Sequence, residues 1–105
     1  MTDLFDDVDV YEDISFAEGC HLIWGFTLEP WDVTGSTVVF ILNGTPFTMS
    51  TEVVGESSQF SITLTPVQTS SLALVKRGDI GSYVVRETFP DGTVQQISNG
   101  EVIVT

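Results

Sequence analysis

At 105 residues the chain has the length of one domain, enough to bury about two-thirds of its unfolded surface without a metal or disulfide staple. Apolar residues make up 42% and charged residues 17%, which places it among globular proteins. Fifteen acidic residues face only Lys76, Arg77 and Arg86, and the net charge of -12 argues against nucleic acid and anionic membrane as partners while suiting a basic protein surface.

Residues 1–13 form an acidic lead-in carrying Asp3, Asp6, Asp7, Asp9, Glu12 and Asp13 and no basic residue. A terminal charge block is ordinarily a solvated tail. Here Leu4, Phe5, Val8, Val10 and Tyr11 lie among the acids, too many apolar residues for a tail that only solvates. The run Leu4, Phe5, Asp6, Asp7, Val8, Asp9, Val10 and Tyr11 is therefore the expected docking segment. Its acids offer oxygen ligands but lack the glycine and spacing of a helix–loop–helix calcium site, so no dedicated metal is expected.

From Asp13 onward, short strand patterns alternate with turn signals. The expected strands are Ile14 to Ala17, then Cys20 to Leu28 after a Glu18-Gly19 turn. Glu29-Pro30 breaks the ladder, because proline cannot donate. Asp32-Val33-Thr34-Gly35 reads as a turn. Thr37 to Leu42 is apolar on both faces, as a central strand is. Asn43-Gly44 is a strong hairpin signal leading to Phe47 to Val54. Gly55-Glu56-Ser57 turns into Gln59 to Leu64, where apolar and polar residues alternate.

The period then breaks. Thr65 can cap a helix, Pro66 suits its first position, and Gln68 completes a capping box. Val67, Ser71, Leu72 and Leu74 are expected to pack one side of a short helix that Gly78 closes. Gly81 restarts the strand pattern through Tyr83 to Phe89. Pro90-Asp91-Gly92 turns into Val94 to Ile97, Asn99-Gly100 turns again, and Glu101 to Thr105 finishes the sheet. The pattern predicts an acidic arm over 1–13 and one domain over 14–105. Its class is all-β: an immunoglobulin-like sandwich of about 7–8 antiparallel strands with one helical turn near residues 65–73.

Catalysis is not expected. The single His21 supports no histidine-rich metal site. Cys20 cannot form an internal disulfide and is expected to be a small buried side chain, pointing away from His21 on the next strand position. No serine lies in a glycine-flanked elbow, and Gly78-Asp79-Ile80-Gly81 lacks the lysine of a phosphate loop. No cofactor is implied. Trp24, in mid-strand, is expected in the core. Trp31 lies between Pro30 and Asp32 in a loop, and a partly exposed tryptophan there is a candidate contact residue. No run is long enough for a membrane span and Met1-Thr2-Asp3 opens no signal peptide, so synthesis in a cytoplasm is expected.

Four motifs in order resemble the small immunoglobulin-like virion proteins of tailed bacteriophages, found in baseplates, tail appendages and head-attached accessory proteins. They are Glu18-Gly19, Asp32-Val33-Thr34-Gly35 before Ser36-Thr37-Val38-Val39-Phe40, Leu64-Thr65-Pro66-Val67-Gln68-Thr69 with Leu72, and a closing set. That set is Gly81-Ser82-Tyr83, Asp91-Gly92 and Gly100-Glu101-Val102-Ile103-Val104. The similarity spans about Ile14 to Thr105. It implies a non-enzymatic structural subunit in the virion, made in the host cytoplasm, docking in many copies on head or tail. Its partners would be capsid or tail subunits and further copies of itself. Cys20 departs from the polar residue usual at its position. A chain that stops at Thr105 fits an accessory subunit better than the root of a receptor-binding fibre. The rival expectation is a module binding carbohydrate at a host surface, with Trp31, Phe89 and Tyr11 as the aromatic suspects.

Overall fold

The computed structural model describes residues 10–105. Its strands are β1 (Val10–Tyr11), β2 (Ile14–Phe16), β3 (Leu22–Leu28), β4 (Thr37–Leu42), β5 (Thr45–Thr48), β6 (Ser50–Val54), β7 (Ser57–Leu64), β8 (Ile80–Thr88) and β9 (Val94–Val104), with one helix, α1 (Pro66–Ser70). They form an all-β sandwich. One sheet runs β1-β9-β8-β4-β5, with β2 also on β9, and the other runs β3-β7-β6. β1 and β2 lie parallel to β9, whereas every other pairing is antiparallel.

Period-two alternation decides which side chains meet between the sheets. Val38, Phe40 and Leu42 of β4, Tyr83 and Val85 of β8, and Phe60, Ile62 and Leu64 of β7 are all buried. Trp24 of β3 reaches across the gap, its ring centroid 5.9 Å from Phe40 and 5.2 Å from Tyr83. The expected central strand is internal, since β4 lies between β8 and β5. Asn43 (φ 48°) and Gly44 (φ 84°) make the two-residue turn joining β4 to β5. Both central residues of such a turn need positive φ, which Asn-Gly supplies at least cost.

Around α1 the capping box is complete: Gln68 N donates to Thr65 Oγ1 and Thr65 N to Gln68 Oε1. The helix is the single turn expected, but its stop and its packing face depart from expectation. The helix ends after one turn, with Ala73 at φ 64°, and Leu74 N bonds back to Thr69 O. Gly78 therefore does not end it. Thr69 and Leu74 are buried, Leu72 half-buried, and Val67 faces solvent. So short a helix has only one inward side, and the turn after it sets Leu74 into the core.

Four other differences have physical causes. The expected strand Phe47 to Val54 divides at Met49, so β5 pairs with β4 while β6 crosses to β7. Met49 N bonds to Val38 O and its side chain fills the corner between the sheets. Asn99-Gly100 makes no turn, and β9 runs unbroken through it. A bulge opposite Val85/Arg86 turns both Ile97 and Ser98 inward. Cys20 is exposed, because the chain turns at Gly19 (φ 76°), with Cys20 N bonded to Ala17 O, and β3 begins only at Leu22. Finally, Val10 to Asp13 belong to the sandwich rather than to a separate arm, as their bonds to β9 show.

Candidate docking surfaces

The root of the acidic segment is fastened to β9. β1 pairs Val10 with Ser98 and Tyr11 with Asn99. Ser98 Oγ donates to Val10 O at 3.0 Å, Glu12 N to Asn99 O at 2.9 Å, and Glu101 N to Asp13 Oδ1 at 3.0 Å. Tyr83, reaching through the sheet edge, donates its hydroxyl to Glu12 O. A Cβ on Gly100 would lie 2.0 Å from that same carbonyl oxygen, so the position admits only glycine while the strap is in place. Burial raises the pKa of Tyr83, and nearby Glu12 and Asp13 add to it. For Tyr11 the hydrogen bond to Asp13 is the main cause of its raised pKa. The side chains of Val10 and Tyr11 stay exposed while their backbones are held.

Leu4, Phe5, Asp6, Asp7, Val8 and Asp9 lie outside the described residues. Of the expected docking run, Val10 and Tyr11 alone are placed, at the edge of the six-stranded sheet.

Trp31 corrects an expectation. It is only 8% exposed and belongs to the core. Its indole Nε1 donates to Glu87 Oε1 at 2.8 Å, its backbone N to Glu56 O at 3.0 Å, and its carbonyl accepts from Ser58 Oγ at 2.8 Å. Ser58 also accepts from Val33 N at 3.0 Å. A loop tryptophan can be buried when its polar atoms are all met inside; the Glu56 carbonyl meets its backbone N–H, and the Ser58 and Glu87 side chains meet the rest. Both are fully buried, and Glu87 Oε2 has no hydrogen-bond partner. The signal for both was present: Ser58 shares the inward face of Phe60 and Ile62, and Glu87 that of Tyr83 and Val85.

Beside this loop Pro30, Trp31, Val53 and Phe89 wall a groove of about 600 Å³ rimmed by Asp32, Thr34 and Glu56. The Trp31 and Phe89 rings are 6.2 Å apart and tilted by 49°, so they form no coplanar platform for a sugar ring. Tyr11 belongs to the β9 edge instead. The Thr34 hydroxyl, with the Thr34 N–H, holds the Asp32 carboxyl below its ordinary pKa.

The solvent side of the six-stranded sheet is less polar than an ordinary water-facing sheet. Val39 and Ile41 of β4 and Val84 of β8 are half-buried there, with Val84 directly opposite Ile41. Pro46 of the edge strand β5 extends the row beside Ile41. A sheet that packs on one side alone alternates apolar inward and polar outward; β4 does not. Among the described residues no three His, Cys, Asp or Glu side chains group as metal ligands, and no helix is long and apolar enough to cross a membrane. In comparison with known proteins, the chain matches no family model and no curated protein sequence.

Proposed function

We propose that the protein is a non-enzymatic structural subunit of a tailed-phage virion. It docks in many copies on capsid or tail subunits through its acidic N-terminal segment and its sheet surfaces. The observation that carries the docking role is the apolar row Val39, Ile41 and Val84 on the outer side of the six-stranded sheet, on β4 and β8 of the sheet whose edge holds the anchored root at Val10–Asp13. The order of turn and cap motifs supplies the virion part of the reading. The acidic charge suits a basic partner surface, whose contact weakens as salt screens it.

The test is reassembly. Purified tailed-phage particles stripped of accessory proteins should rebind the chain and sediment with it, and cryo-electron microscopy should show it at regular positions. Val39→Lys with Ile41→Lys should abolish rebinding while the circular dichroism of the sandwich persists. A chain that stays in the supernatant beside its own phage's particles, or that binds a glycan array through the Trp31 groove, would overturn the reading.

A further inference from the structure

A second groove lies on the opposite side of the Ser98 anchor, where β9 ends. Gly78 N bonds to Val104 O, Val104 N to Asp79 O, and Thr105 N to Phe16 O, tying the loop after α1 to the ends of β2 and β9. The groove measures about 510 Å³, and Phe16, Pro66, Leu74 and Val75 supply its apolar wall. Lys76 and Glu18 stand at its rim, with Arg77 next in the chain.

Two exposed cations at this rim, Lys76 and Arg77, can face an acidic guest. Glu18 Oε1 is taken by Arg77 N, and Asp79 Oδ2 by both Val75 N and Lys76 N. Those bonds hold the Asp79 carboxyl below its ordinary pKa, the Lys76 N–H contributing most. The two nearby acids keep their charge, with one carboxylate oxygen of each bound by backbone N–H groups. Lys76 and Arg77, two of the three cations in the chain, are exposed here.

We propose that this groove receives the Leu4-Phe5-Asp6-Asp7 segment of a second copy of the chain. Leu4 and Phe5 would cover the apolar wall, and Asp6 and Asp7 would face Lys76 and Arg77. The occupant is a second copy because of direction. Followed backward from Tyr11 to Val10, the chain heads along β9 towards Val94, away from the groove. Ser98 and Val104 are six strand positions apart, about 20 Å. From Val10 back to Leu4 is six positions, at most about 20 Å, so the chain's own segment would use all of its reach in turning back. Reaching outward costs no reversal. Such a contact joins two different surfaces and propagates head to tail, closing into a ring or continuing as a filament.

This inference deepens the docking role proposed above and rests on it only for the expectation of many copies. Light scattering on the full chain at rising concentration, in about 0.1 M and about 1 M salt, reads it. Association should appear at low salt and fade at high salt. Lys76→Glu, at an exposed site, should weaken association by about tenfold or more. Adding Asp6→Lys and Asp7→Lys to that same chain should restore most of it. A parent chain that is monomeric throughout, a Lys76→Glu variant that associates like the parent, or a triple variant that fails to recover would each overturn the inference. Particle rebinding by the same samples reads the docking role separately, so the two can fail independently.

Discussion

The two tryptophans sit seven residues apart in sequence and are held by different physics. Trp24 projects from mid-strand into an aromatic cluster: Phe26 at 5.0 Å, Phe40 at 5.9 Å and Tyr83 at 5.2 Å, with Phe60 stacked on Phe26 at 4.7 Å. Its surroundings are apolar contact and little else. Trp31 comes from a loop and is buried more deeply, yet its neighbours are Glu87, Ser58 and the Glu56 carbonyl. Strand periodicity places the first. The second needs internal hydrogen bonds, because a buried backbone or indole N–H left without a partner is costly. The apolar centre thus sets how stable the sandwich is, while the polar cluster sets where its loop lies.

The largest effect is expected at the apolar centre. Phe60→Ala, at a residue only 1% exposed, should cost about 3–5 kcal/mol, read as a fall in the urea midpoint. On the other side, Trp31→Phe keeps most of the ring but strips Glu87 of its indole donor, and should cost about 1–3 kcal/mol. If it costs more than Phe60→Ala, the ranking of the two regions is wrong. Glu87→Gln keeps an acceptor for the indole and should change stability by less than about 1 kcal/mol. A large loss there would mean the second carboxyl oxygen has a role of its own.

Acid separates the regions most finely. The folded pKa of Asp32 is depressed by Thr34, so its contribution is present above the unfolded value of about 3.9 and is lost as pH falls through the folded value. Indole N–H exchange of Trp31 should therefore rise in acid before that of Trp24. Asp32→Asn should remove that pH dependence, and equal responses of both indoles would erase the distinction.

Much of the sandwich was legible in local pattern. Thr37 to Leu42, the Asn43-Gly44 hairpin and the Thr65–Gln68 capping box each declare themselves within a few residues, because period, positive φ and cap geometry are short-range constraints. What stayed hidden depends on distant residues. Gly100 reads as a turn, yet it is required because Glu12, far earlier in the chain, lays its carbonyl against it. Phe47 to Val54 reads as one extended run, and only the competition of β4 and β7 for partners splits it at Met49. The burial of Trp31 rests on side chains 27 and 56 residues away. Of the docking surfaces, the apolar doubling of β4 was visible in sequence. The groove around Phe16 and Leu74 was not, since three separate segments build it.

The strap of β1 and β2 on β9 also orders events in time. Ser98 and Val10 are 88 positions apart, and Ile14 to Phe16 find their partners only at Val102 to Val104. On a ribosome, Ile14 and Phe16 emerge early and remain unmatched until β9 has left the exit tunnel. Closing so long a loop is slow and entropically costly, and it is repaid only when the whole strand is present. The β3, β4 and β7 core is therefore expected to condense first, with the strap as the last piece to lock. A chain that ended before residue 94 would lack β9, leaving β8 with an open edge and β1 and β2 with no strand to pair with.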